Sequence, residues 1–167
     1  MKKIFIYSSS NGQSLKICKA LNKNKEALII DMDMLKTTKL DNFDQIVIGA
    51  SVKYGDHNKK VYEFVKKNRV LLEKKKTVFF SVNATARKSE KNTPKTNPYI
   101  VKFLKKTNWT PDHIGVFAGM IDFPNYNFIE KYIIKLIMWI TNGPTDTSKT
   151  FEFTNWEDVK KFSEEIN

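Results

Sequence analysis

Five apolar runs punctuate the chain, and each ends in turn residues. Ile4–Tyr7 breaks into Ser8-Ser9-Ser10-Asn11-Gly12-Gln13-Ser14, and Ala27–Ile30 stops at Asp31. Gln45–Ala50, Thr77–Val82 and Ile114–Gly119 follow. None alternates apolar with polar positions, which is the pattern of strands covered on both faces of a parallel sheet. The intervening segments have helical spacing. Leu15 to Leu21 reads as a first helix, and Val61, Phe64, Val65 and Leu72 share one face of a helix over about 59–75. Tyr99, Ile100, Phe103 and Leu104 predict another over about 98–106, with Asn97 as its N-cap. Trp156, Val159, Phe162 and Ile166 form a closing amphipathic helix capped by Asn155. Strands alternating with helices predict an α/β fold, a doubly wound five-stranded parallel sheet of order 2-1-3-4-5, in one domain over residues 1–167. In that order a ligand sits at the carboxyl ends of the strands, around the switch between the first and third.

A long segment from Asp122 to Lys149 does not fit a minimal domain of this kind. Within it Ile129, Tyr132, Ile133, Leu136, Ile137 and Ile140 form one helical stripe, and Ile134, Met138 and Trp139 lie off it. This apolar helical insert is expected to interrupt the fifth strand, with Phe151-Glu152-Phe153 resuming it. It is too short to cross a bilayer. Phe128, Ile133, Ile134, Ile137, Met138 and Trp139 are its candidate contacts with a membrane interface or a quinone. The alternatives are a helix covering the core of its own domain, or a contact between copies in a homo-oligomer.

Composition narrows the classes. The chain has 167 residues with 41% hydrophobic content, enough for one domain with a proper core. Cys18 is the only cysteine, so no intrachain disulfide forms and a reducing compartment is expected; its place beside Ile17 and Leu21 points to packing. His57 and His113 stand far apart with no cysteine ligands nearby, so no metal site is expected. Ile4–Tyr7 is too short for the apolar core of a signal peptide. The net charge is +11, and between Lys53 and Lys106 sixteen Lys/Arg face four Asp/Glu. This basic field favours an anionic partner such as an acidic small molecule or an anionic membrane surface. The stacking motifs of the usual RNA-binding modules are absent, so nucleic acid is not the expected partner.

The candidate chemistry lies in three loops. Ser9, Ser10, Asn11, Gly12, Gln13 and Ser14 end a strand and open a helix, where N–H groups, hydroxyls and the helix dipole can hold a phosphate. The loop is neither a G-x-x-x-x-G-K-[ST] P-loop nor a G-x-G-x-x-G dinucleotide turn. After the third strand come Ser51, Val52, Lys53, Tyr54 and Gly55, and after the fourth Asn83, Ala84, Thr85, Ala86 and Arg87. These two can flank a flat ring, and Tyr54 either lies against that ring or is a partly buried aromatic of its loop. Lys53, Arg87 and Lys88 are the cations expected at the mouth, and no side chain stands out as a general base.

Longer motifs carry a resemblance. They are Ile48-Gly49-Ala50-Ser51-Val52-Lys53-Tyr54-Gly55, Glu63-Phe64-Val65-Lys66-Lys67 and Phe80-Ser81-Val82-Asn83. Further on come Ala86-Arg87-Lys88-Ser89-Glu90-Lys91-Asn92-Thr93-Pro94, Ile134-Lys135-Leu136-Ile137-Met138 and Thr145-Asp146-Thr147. With these, the chain resembles the flavodoxin-like menaquinone-dependent protoporphyrinogen IX dehydrogenases. The resemblance implies a flavodoxin-like fold, FMN in the three-loop crevice with its phosphate on Ser9 to Ser14, a porphyrinogen substrate and menaquinone as acceptor. It also implies a cytoplasmic protein, peripheral on the inner face of the cell membrane. Where that family often has Thr-Arg-Asp-Gly, this chain has Ser9-Ser10-Asn11-Gly12. A flavodoxin-type electron carrier, or an FMN quinone reductase with another substrate, remains the alternative; the basic middle segment argues against the carrier, since such carriers are typically acidic.

Overall fold

The structure is a computed structural model that describes residues 1–23 and 26–166. Five parallel strands form the main sheet: β1 (Lys3–Ser8), β2 (Leu28–Asp31), β3 (Gln45–Lys53), β5 (Lys76–Asn83) and β6 (His113–Ala118). The short β4 (Asp56–His57) turns back antiparallel on the end of β3. The sheet order is β2-β1-β3-β5-β6, which over the parallel strands alone is the expected 2-1-3-4-5.

Alternate residues of each strand feed two cores. Ile4, Ile6, Ile46, Ile48 and Phe79 meet α2 (Lys59–Lys67) and α4 (Pro98–Thr107) through Val61, Val65, Ile100 and Phe103. Phe5, Val47, Val78 and Phe80 meet α1 (Gln13–Leu21) and α6 (Trp156–Ile166) through Ile17, Cys18, Leu21, Val159, Phe162 and Ile166. The sheet is therefore covered on both sides, and the continuous apolar runs follow from that. Cys18 is fully buried and its thiol is pushed up by burial, consistent with packing. The Phe80 ring leaves no room for a β-carbon at Gly49, where its Cζ would lie 2.2 Å away.

Two expected elements come out differently. The helix expected over 59–75 breaks at Asn68, and α3 (Arg69–Leu72) is a separate turn. The Asn68 amide donates to the Phe64 carbonyl at 2.9 Å, which satisfies the last turn of α2 and lets it end there. The apolar helix forms as α5 (Phe128–Ile140), but it does not interrupt a strand of the main sheet. The chain leaves that sheet after Ala118, and β7 (Met120–Asp122) pairs antiparallel with β8 (Thr150–Glu152) as a separate ribbon. Gly119 makes the exit: its N–H donates to the Asn83 carbonyl at 3.3 Å and its carbonyl accepts the Phe153 N–H at 3.0 Å. Segment 151–153 thus closes the base of α5 rather than resuming the fifth strand.

Asn127 caps α5, accepting the Glu130 N–H at 2.9 Å. At the other end Asn142 takes a left-handed φ of 55°, and the Gly143 N–H reaches back to the Met138 carbonyl at 2.7 Å, a Schellman-type stop. Among the described residues no helix is long and apolar enough to cross a membrane.

Candidate functional site

The three loops converge as expected. A cavity of about 800 Å³ opens at the carboxyl ends of β1, β3 and β5, and α5 forms its far wall. Ser10 and Asn11 come from the first loop, Ser51 to Gly55 from the second, and Asn83, Ala84, Thr85 and Arg87 from the third. From α5 it receives Glu130, Ile133, Ile134, Ile137 and Met138.

The first loop is tied to the second. The Ser10 N–H donates to Ser51 Oγ at 3.0 Å, and the two hydroxyls share a hydrogen bond of 3.1 Å. Ser9 Oγ accepts the Ser14 N–H and Asn11 Oδ1 the Gln13 N–H, both at 3.3 Å. Gly12 sits at φ 81°, a left-handed position that favours glycine, with open space where a β-carbon would stand. Ser14 Oγ is buried at the start of α1 with no hydrogen-bond partner. The side-chain amide of Gln13 points elsewhere, donating to Glu152 Oε1 at 2.8 Å and Thr154 Oγ1 at 2.7 Å. Of the six loop residues expected to contact a cofactor, Ser10 and Asn11 line the cavity.

These residues fit the phosphate of a flavin mononucleotide. The described donors are N–H groups and rotatable hydroxyls, the segment Ser9–Ser14 holds no carboxylate to repel an anion, and the orphaned Ser14 hydroxyl lacks only an acceptor or donor.

In the second loop, β3 and β4 pair Lys53 with Asp56 across Tyr54-Gly55. Both central residues have positive φ, 51° and 83°, as a two-residue type I′ hairpin requires. Asparagine and glycine suit that turn; tyrosine is strained there, and the residue is 59% exposed at the cavity. Beneath the turn, burial lowers the His57 imidazole to about 4, so it is neutral near pH 7. His57 Nε2 and Ser81 Oγ share a hydrogen bond of 2.8 Å, and the Asn83 amide donates to the same hydroxyl at 3.1 Å. Burial alone would raise the Asp56 carboxyl, but Lys102, Tyr62 and Lys106 outweigh it and hold it well below the usual carboxylate range.

In the third loop Asn83 organises the turn, accepting the Ala86 N–H at 3.0 Å and the Asn97 amide at 3.1 Å. Ala86 is buried within that turn and does not line the cavity.

The expected cations are placed unevenly. Lys53 lines the cavity, but its Nζ is 2.6 Å from Glu130 Oε1 of α5. Arg87 also lines it, while its guanidinium donates to the Ala84 carbonyl at 2.8 Å and to the Thr141 carbonyl and hydroxyl at 2.9 and 2.8 Å. Both cations therefore hold α5 in place. Lys88 does not line the cavity. Of the α5 residues expected at a membrane or quinone, Ile133, Ile134, Ile137 and Met138 face the cavity. Met138 is 1% exposed against Ile121 and Phe123, so burial rules it out as a membrane contact. Phe128 and Trp139 lie outside the cavity at 75% and 70% exposure, beside Ile129, Tyr132, Leu136 and Ile140. Helix α5 is thus apolar toward the cavity and toward solvent. Glu130 was not among the expected site residues; its signal was the single acid of a mostly apolar helix, placed in its first turn.

Comparisons with known proteins agree with this architecture. A family model described as a flavodoxin domain matches residues 4–148. The protoporphyrinogen IX dehydrogenase (quinone) of Escherichia coli strain K12 is 39% identical over 99% of this chain and 94% of its own. The protein of that name from Leishmania major is 33% identical over 99% of this chain and 74% of its own. Among solved structures, oxidised flavodoxin 2 from Bacillus cereus aligns over 99% of this chain and 97% of its own, with a TM-score of 0.55 at 14% identity, a likeness of fold. The chain belongs to the flavodoxin-domain family, together with these protoporphyrinogen IX dehydrogenases.

Proposed function

We propose that this chain, acting as one flavodoxin-like domain over residues 1–167, is an FMN-dependent protoporphyrinogen IX dehydrogenase that delivers electrons to menaquinone at an anionic membrane surface. The observation that carries the reading is the joining of three strand-end loops and an apolar helix around one cavity. The names of the relatives supply the porphyrinogen and the quinone.

When bound, the flavin supplies the two-electron redox chemistry between substrate and quinone. The residues of the chain bind and orient. Ser9 to Ser14 hold the phosphate through N–H groups, hydroxyls and the α1 dipole. Ser51 to Gly55 and Asn83 to Arg87 hold the ring system between them, with Tyr54 against it. Ile133, Ile134, Ile137 and Met138 close the far side and exclude water, which favours a hydrophobic macrocycle or a quinone ring. Lys53 offers a positive charge to a propionate. The outward stripe of Phe128, Ile129, Tyr132, Leu136 and Trp139 suits an interfacial helix, with Lys131 and Lys135 on the same element for anionic headgroups.

The test is a half-reaction. Protein reconstituted with FMN should take on a flavin spectrum, and anaerobic protoporphyrinogen should bleach it without quinone. Riboflavin, which lacks the phosphate, should bind more weakly. A colourless protein that takes up no FMN, or a flavin that protoporphyrinogen leaves oxidised, contradicts the reading.

A further inference from the structure

A substrate carboxylate entering this cavity needs a cation, because an uncompensated charge is costly in an apolar site. Among the described lining residues the cations are Lys53 and Arg87. Arg87 is committed to acceptors that cannot move away, the backbone carbonyls of Ala84 and Thr141 and the Thr141 hydroxyl. Taking it would uncap the last turn of α5. Lys53 differs: its partner, Glu130, is a carboxylate on a flexible side chain, 2.6 Å away.

We propose that Glu130 is a resident stand-in for a ligand carboxylate: it occupies the anion site at Lys53 in the free protein and gives way to a carboxylate of the substrate. The inference rests on the porphyrinogen reading above, and it makes Glu130 a specificity-determining residue for acidic ligands. The geometry suits exchange. The Lys53 side chain is 45% exposed and reachable from the mouth, whereas the Glu130 side chain is 12% exposed and faces the cavity. The hydrogen bond from Lys53 to Glu130 is the leading cause raising the lysine above its ordinary value, so the amine stays charged for either partner. The other lining carboxylate, Asp122, is held by neutral donors instead, Asn125 Nδ2 and Thr150 Oγ1, each at 2.7 Å. Glu130 therefore competes with an acidic ligand for Lys53 and leaves a neutral one unaffected.

The experiment is equilibrium binding of protoporphyrin IX and its dimethyl ester to FMN-loaded protein, followed by fluorescence quenching. Glu130→Gln keeps the shape of the side chain and removes the competing charge. It should tighten the free acid by roughly three- to tenfold, leave the ester unchanged, and lower the KM for protoporphyrinogen. Lys53→Met should abolish the preference for acid over ester. A helix merely loosened by E130Q would weaken both porphyrins alike, and that result overturns the proposal, as does unchanged binding of the acid. Failure of the underlying reading looks different: wild-type protein then binds neither porphyrin and oxidises no protoporphyrinogen, and the proposal falls with it. Wild-type protein that prefers the acid, with no tightening in E130Q, overturns the proposal alone.

Discussion

Arg87 donates to both the carbonyl and the hydroxyl of Thr141, so the loop after β5 grips the last turn of α5. The contact places a guanidinium at the helix C-terminus, where the dipole favours a cation. A substrate-binding arginine and a structural one predict different losses. Arg87→Ala should destabilise the fold by roughly 2 kcal/mol in thermal or denaturant unfolding, since charged hydrogen bonds are lost. It should also weaken protoporphyrin and its dimethyl ester equally. A loss confined to the free acid would return Arg87 to the substrate.

Tyr54 holds a left-handed φ of 51° in a turn that favours asparagine. Tyr54→Asn should relieve the strain and stabilise the apoprotein by about 1 kcal/mol. The same change should weaken FMN binding by about tenfold if the ring lies on the flavin. Unfolding of the apoprotein and flavin titration check the two halves separately.

His57 fixes a pH dependence. Its imidazole is lowered to about 4 in the fold, against an ordinary value of 6.5, chiefly by burial. The unfolded chain binds more protons than the folded one between those values, so stability is fully present above about pH 6.5 and is lost as pH falls toward 4. The loss from this residue is roughly 3 kcal/mol. Asp56, whose carboxyl is held low in the fold, adds a further loss that begins as pH falls through the ordinary carboxylate range, at the acid end of this window, and continues below it. Unfolding free energies measured from pH 7 to 4 should show this slope in wild-type protein and a flatter one in His57→Asn.

The outer face of α5 can be tested without disturbing the cavity. Ile129 and Trp139 are 71% and 70% exposed and do not line it. Ile129→Glu with Trp139→Glu should abolish co-sedimentation with anionic liposomes while FMN uptake stays unchanged. Equal sedimentation of variant and wild type would remove the membrane from the account.

The sheet was legible because its strands are buried on both faces, so β1, β3 and β5 read as unbroken apolar runs in the sequence. The α4 and α6 caps were legible too, since Asn97 and Asn155 stand directly before apolar stripes and do accept the first-turn N–H groups. Strands β4 and β7 were not, because two or three residues are too few to reveal a period; at β8 a strand was expected over 151–153, but its pairing with β7 was not. The break at Asn68 depends on one side chain satisfying one carbonyl, which periodicity does not register. The three site loops were read from their positions at strand ends. What the sequence hid was pairing across distance: Lys53 and Arg87 read as free cations at a mouth, yet their partners, Glu130 and Thr141, lie on a helix far along the chain. The same helix read as apolar on more than one face; only the packed structure separates the side that lines the cavity from the side that meets solvent.

The most direct test is anaerobic turnover of protoporphyrinogen IX by the FMN-loaded protein with a menaquinone analogue, followed by porphyrin fluorescence. Porphyrin should form at a rate proportional to flavin-loaded protein and should stop when quinone is withheld after the bound flavin is reduced. No porphyrin above the protein-free FMN blank, from a protein that a flavodoxin reductase reduces normally, would contradict the account and leave an electron carrier in its place.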